Sequence, residues 1–106
     1  MLDQEPLDLI NLYNKAATLH RLGRLEDALL IYGTLLSLNP EDWGSHTQVA
    51  IILLQQEKPE QASDELELEV DPQQQELGRI LVLPALGKQA EAEQRMDVFI
   101  EQHQSW

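Results

Sequence analysis

The chain has 106 residues, nineteen of them acidic against seven basic, for a formal charge of −12, and it has no cysteine. That length suits one small domain able to build a core without metal or disulfide staples. Disulfides, zinc–thiolate sites, iron–sulfur clusters and cysteine nucleophiles are excluded by composition. The acidity works against broad contact with phosphate backbones, anionic lipid or acidic peptides. The basic residues Lys15, Arg21, Arg24, Lys58, Arg79, Lys88 and Arg95 make no run. No nucleic-acid or membrane partner is expected. "MLDQEPLDLI" lacks the basic start and apolar run of a signal peptide. "VAIILL" and "ILVLPAL" fall far short of the ~20 residues that span a bilayer. A soluble, cytoplasmic protein is the expectation.

Leu12, Ala16, Leu19 and Leu22 recur at helical spacing, with Asp8 near the positive end of the helix they predict. Gly23 follows, where a left-handed cap is cheapest. A second stripe, Leu25, Ala28, Leu29, Tyr32, Leu35 and Leu36, carries Glu26 and Asp27 in its first turn and ends at Asn39-Pro40. This predicts a helical hairpin.

The pattern then repeats. Ala16 and Ala50, Leu19 and Leu53, and Ala28 and Ala62 are each 34 residues apart; Ala62 and Ala92, and Leu66 and Met96, are 30 apart. By the same spacing Gly23, Glu57 and Gly87 fall at three bends. Pro72 is the second unit's terminal proline, two residues early. A period near 34 marks a helical repeat array. The small residues are expected where helices cross closely, and neighbouring hairpins must bury each other's apolar faces.

The first unit, "LINLYNKAATLHRLGRLEDALLIYGTLLSLNP", resembles a tetratricopeptide repeat. Ala16 matches the small residue of the first helix, Gly23 the bend, Ala28 and Tyr32 the small and aromatic positions of the second helix, and Pro40 its end. The second unit keeps Ala50, Leu53, Ala62 and Asp-Pro but lacks the bend glycine. The third keeps Gly87, Ala92, Met96 and Phe99. The resemblance implies an all-α fold: one domain over residues 1–106, with three hairpins (about 7–40, 43–72 and 73–104) stacked as a short right-handed superhelix.

Three local departures stand out. Pro84 and Gly78 lie inside the third unit's first helix, so that helix is expected to end or kink near Leu83, with "ALGK" as a longer bend. In "PEQASDELELEVDP", Pro59 suits the first helical position, and the buried stripe is only Ala62, Leu66 and Val70, with Leu68 off that face. Trp43 is expected over the junction of the first two units.

Catalytic chemistry is not expected. His20, His46 and His103 lack the spacing of a metal pair on one helix and are read as partly exposed helix residues. Glu65, Glu67 and Glu69 alternate and read as a solvated face. No phosphate-binding loop, cofactor motif or catalytic triad is present in the pattern, so neither a metal nor a cofactor is expected.

The resemblance also implies a site. In tetratricopeptide arrays the first helix of each unit lines a concave groove, which here would take Tyr13, Ala17 and His20 from the first unit. Gln48, Ile51 and Leu54, with Gln55 at the lip, would come from the second, and Leu77 and Leu81 from the third. "VAIILL" is apolar nearly all round the helix, so Ile51 and Leu54 are left for a partner groove, or for the chain's own tail or a second copy. The lysine, arginine and asparagine clamp that grips acidic chaperone tails is replaced by Tyr13, Ala17, Gln48, Gln74 and Gly78. The expected partner is therefore an apolar or mildly basic peptide or helix, not an acidic tail. The last helix carries Val98, Ile100 and Trp106 beyond its buried Ala92, Met96 and Phe99. That leaves a homodimer through this helix, or a spacer role in a larger assembly, as the alternative to an interaction scaffold.

Overall fold

The computed structural model describes residues 8–102, and all regular structure among them is helical. Helix α1 (Leu9–Arg21) begins where Asp8 turns extended and its carboxylate accepts the Asn11 N–H at 3.2 Å. Helix α2 (Leu25–Leu38) carries Glu26 and Asp27 in its first turn and stops at Asn39, ahead of Pro40. Helices α3 (Ser45–Gln55), α4 (Pro59–Leu66), α5 (Pro72–Val82) and α6 (Gln89–Gln102) follow. A 3₁₀ turn, Leu83–Leu86, separates the last two.

The chain reverses by one device used three times. The N–H groups of Arg24, Lys58 and Lys88 donate to the carbonyls of Leu19, Leu53 and Leu83, each at 2.9 Å. Just before them, Gly23, Glu57 and Gly87 donate to the carbonyls of His20, Leu54 and Pro84, each at 3.0 Å. This is the paired closure that satisfies a helix's last carbonyls, and it needs a left-handed residue at its apex. The apex φ values are +81° at Gly23, +64° at Glu57 and +81° at Gly87. The bends expected from spacing alone are thus equivalent in hydrogen bonding. At the second one a glutamate occupies the position that suits glycine.

Beyond each bend the next helix starts on a basic residue whose carbonyl takes the N–H of Ala28, Ala62 or Ala92. These alanines, with Ala16 and Ala50, are buried.

The core falls into two clusters that share α3. Ala16, Ala28, Tyr32, Leu35 and Ile52 form the first, with Leu12, Leu19 and Val49 packed around it. Ala50, Ala62, Leu66 and Val82 form the second, flanked by Leu53, Leu54 and Leu86. One side of α3 faces the first hairpin and another faces α4 and α5. Each buried Ile or Leu contributes roughly 1.5–3 kcal/mol, so this helix is fastened from two directions. That accounts for most of the apolar run "VAIILL".

The second hairpin departs from the sequence reading. Helix α4 ends at Leu66, whose carbonyl accepts the Glu69 N–H at 3.1 Å and the Gln75 side-chain amide at 2.9 Å. Leu68 looks outward as expected, but Val70 is also exposed rather than part of a buried stripe. Pro72 does not terminate α4: it is the first residue of α5, where its missing N–H costs nothing, and Asp71 caps the helix by accepting the Gln74 N–H at 2.9 Å. Pro40 and Pro72 therefore do opposite work. Pro84 acts as expected, ending α5 at Val82. Gly78 has a packing reason as well: a Cβ there would stand 2.3 Å from a methyl of buried Leu66. Leu66 seats directly on the α5 backbone.

Candidate functional site

Two side-chain approaches link α1 to α3. Near their starts, the Tyr13 hydroxyl lies 3.6 Å from where a Cβ on Gly44 would sit. At their ends, His20 Nε2 and Gln55 Oε1 are 2.6 Å apart. The two helices therefore point in the same direction, with side chains meeting near both ends. Gln74, in the first turn of α5, places its amide oxygen 3.7 Å from the same Gly44 point. Side chains from α1 and α5 thus both reach the start of α3.

Along these helices Tyr13, Ala17, His20, Gln48, Ile51, Leu54 and Leu77 are half-buried, and Gln55 and Leu81 are exposed. None is sealed. Tyr13 sets its ring edge-on to buried Tyr32, with centroids 5.7 Å apart. Burial, and then the Asp42 and Glu69 carboxylates, push the Tyr13 phenol above its ordinary value. The two residues left over from "VAIILL" divide: Leu54 packs on the second cluster, whereas Ile51 belongs to neither. Leu81 lies in a cleft between α5 and α6 with Ile80, Pro84, Ala92 and Met96. Trp43, 57% exposed, lines a shallow cleft of about 300 Å³ at the start of α1 with Leu9, Ile10 and Tyr13.

The polar node that holds this end together was not visible as such in the sequence. Glu69 is buried, not solvated. One of its oxygens accepts the Thr47 N–H and hydroxyl, each at 3.0 Å; the other accepts the Gly44 N–H at 2.9 Å and the Asp71 N–H at 3.2 Å. Helix α3 starts on left-handed Gly44, which has no side chain to cap it, and has no acid in its first turn. A carboxylate from the α4–α5 connection supplies the missing acceptor and the negative charge that a helix start favours. The sequence signal was the uncapped "WGSHTQV" start, which needs an acceptor from elsewhere.

His46 is likewise buried rather than partly exposed. Its Nδ1 is 2.6 Å from a Glu65 carboxylate oxygen and its Nε2 is 3.1 Å from the Pro40 carbonyl, tying α4 and the end of the first hairpin to α3. Glu67 does stay exposed, and pairs with Arg79 at 3.0 Å. His103 and Trp106 lie outside the described residues. No cluster of three or more His, Asp or Glu side chains among the described residues could hold a metal ion. No helix there is long and apolar enough to cross a membrane.

No protein-family model matches this chain, and no curated protein matches it either.

Proposed function

We propose that the chain is a non-catalytic protein-interaction module of tetratricopeptide type. In this reading three hairpins stack as a short right-handed superhelix. Its first helices, α1, α3 and α5, line a groove for an apolar or mildly basic peptide or helix. The observation that carries the reading is that Tyr13 of α1 and Gln74 of α5 both reach Gly44 at the start of α3, while His20 and Gln55 meet at the far ends of α1 and α3. Three bends with one hydrogen-bonding pattern support it. So do the molecular extents, 52 × 35 × 23 Å, which are long in one direction as a stack would be.

Ile51 is the anchor to test. It stands half-buried in the middle helix and outside both core clusters. Capture of partner protein from a cell lysate by the wild type, lost in Ile51→Asp with helicity and melting unchanged, is the expected result. Capture that survives Ile51→Asp counts against the groove. The alternative, self-association or a spacer role, is favoured by exposed Val98 and Ile100 on α6. Sedimentation at several concentrations separates the two readings: the groove module stays monomeric.

A further inference from the structure

We infer a second docking surface, the cleft between α5 and α6, suited to a short amphipathic helix of another protein that carries Lys or Arg beside its apolar row. This goes beyond the groove reading, sharing only Leu81 with it. The cleft has a volume of about 350 Å³, and Ile80, Leu81 and Pro84 form one wall. The other wall is α6, on which Ala92 and Met96 lie four residues apart and Ile100 continues the same row. Leu81 is 48% exposed and Ile100 is 44% exposed.

Beside that apolar row runs an acidic one at the same spacing: Glu93, Asp97 and Glu101. Residues four apart stack along one helix edge, so hydrophobic anchors and negative charges lie in adjacent stripes. No basic residue lines the cleft. The opposite edge of α6 differs, because there Arg95 meets Glu76 at 2.9 Å and Glu91 at 3.3 Å. One edge of α6 has its carboxylates matched by the chain's own cation, and among the described residues the cleft edge does not. A second copy would bring like-charged rows together on a chain of −12. A helix with leucines in one row and lysines in the next fits both stripes.

The test is an NMR titration of the ¹⁵N-labelled full chain with a Leu/Lys amphipathic peptide of about four turns, or roughly 15 residues. A scrambled peptide of the same composition and a Leu/Glu counterpart serve as controls. The expected result is amide shifts centred on Leu81, Ala92, Met96 and Asp97 with the ordered Leu/Lys peptide alone. Two variants extend it. Leu81→Asp should weaken binding at least tenfold, and the exposed double change Asp97→Lys with Glu101→Lys should transfer preference to the Leu/Glu peptide. Equal shifts from the scrambled peptide, shifts confined to α1 and α3, or no shifts at all would each overturn the inference. So would a self-associating chain dispersed by Ile100→Asp. Shifts on α5 and α6 would leave the Ile51 test of the groove untouched, so the two readings fail separately.

Discussion

Glu69 accepts both the backbone N–H and the hydroxyl of Thr47 on one oxygen, each at 3.0 Å, from 22 residues further along the chain. The other oxygen holds the Gly44 and Asp71 N–H groups. Replacing the carboxylate by an amide turns one acceptor into a donor aimed at donors. Glu69→Gln should therefore cost about 2–3 kcal/mol, and Thr47→Val, which removes the hydroxyl alone, about 1 kcal/mol. Urea unfolding checks both, with the midpoint moving and the slope unchanged. A Glu69→Gln variant as stable as wild type would show that the node does not hold α3.

The Leu66 side chain of the second hairpin lies directly against Gly78 of the third. Alanine ordinarily stabilises a helix interior by about 1 kcal/mol over glycine, but here its Cβ would meet Leu66 at 2.3 Å. Gly78→Ala should destabilise by about 1–3 kcal/mol, the usual cost of overpacking. In a Leu66→Ala background the same change should be neutral or favourable, giving a strongly non-additive double-mutant cycle.

The three bends predict opposite signs for similar changes. Glu57 holds φ at +64°, a conformation that costs a side-chain-bearing residue roughly 1–2 kcal/mol. Glu57→Gly should raise stability by up to about 1 kcal/mol. Gly23→Ala and Gly87→Ala should each lower it by about 1 kcal/mol through the backbone alone, since no atom lies within 4 Å of either added Cβ. Thermal melts of the three variants check the order.

Tyr32 is buried, and its hydroxyl finds no hydrogen-bond partner among the described residues. Burial, and then Tyr13 and Asp42, push its phenol far above the ordinary value of 10.0; the Tyr13 phenol is raised as well. A folded value above the unfolded one favours the protonated, folded form. That contribution is complete below about pH 10 and is lost as pH rises towards the folded value. Wild type should therefore lose stability above about pH 10, and Tyr32→Phe should lose less. At neutral pH, Tyr32→Phe should be neutral or stabilising by about 1 kcal/mol, because it removes an unsatisfied buried hydroxyl. Urea midpoints at pH 7 and pH 10.5 test both signs.

Much of the helical framework was legible because its determinants are local. Gly23, Gly87 and the alanine spacing fix where helices turn and cross, and Pro59 and Pro84 mark boundaries through the groups they lack. Pro72 misled because an Asp-Pro pair serves equally well after one helix or at the start of the next. Only the early end of α4 at Leu66, whose carbonyl takes both the Glu69 N–H and the Gln75 amide, decides between them. The burial of Glu69 and His46 escapes local pattern for a related reason: Thr47 and Glu65, which hold them, lie 22 and 19 residues away, beyond any helical period. For the candidate site, spacing identified faces but not depth. His20 and Gln55 do meet, whereas Leu54 belongs to the core and Ile51 does not.

The proposed stack requires α3 to be an inner helix shared by two cores, and native-state amide hydrogen exchange tests that most directly. The greatest protection should fall on the Ile52, Leu53 and Leu54 amides, declining outward to α6, where only Ala92 is buried. Protection in α6 equal to that in α3, or an α3 that exchanges as fast as the outer helices, would contradict the proposed stack.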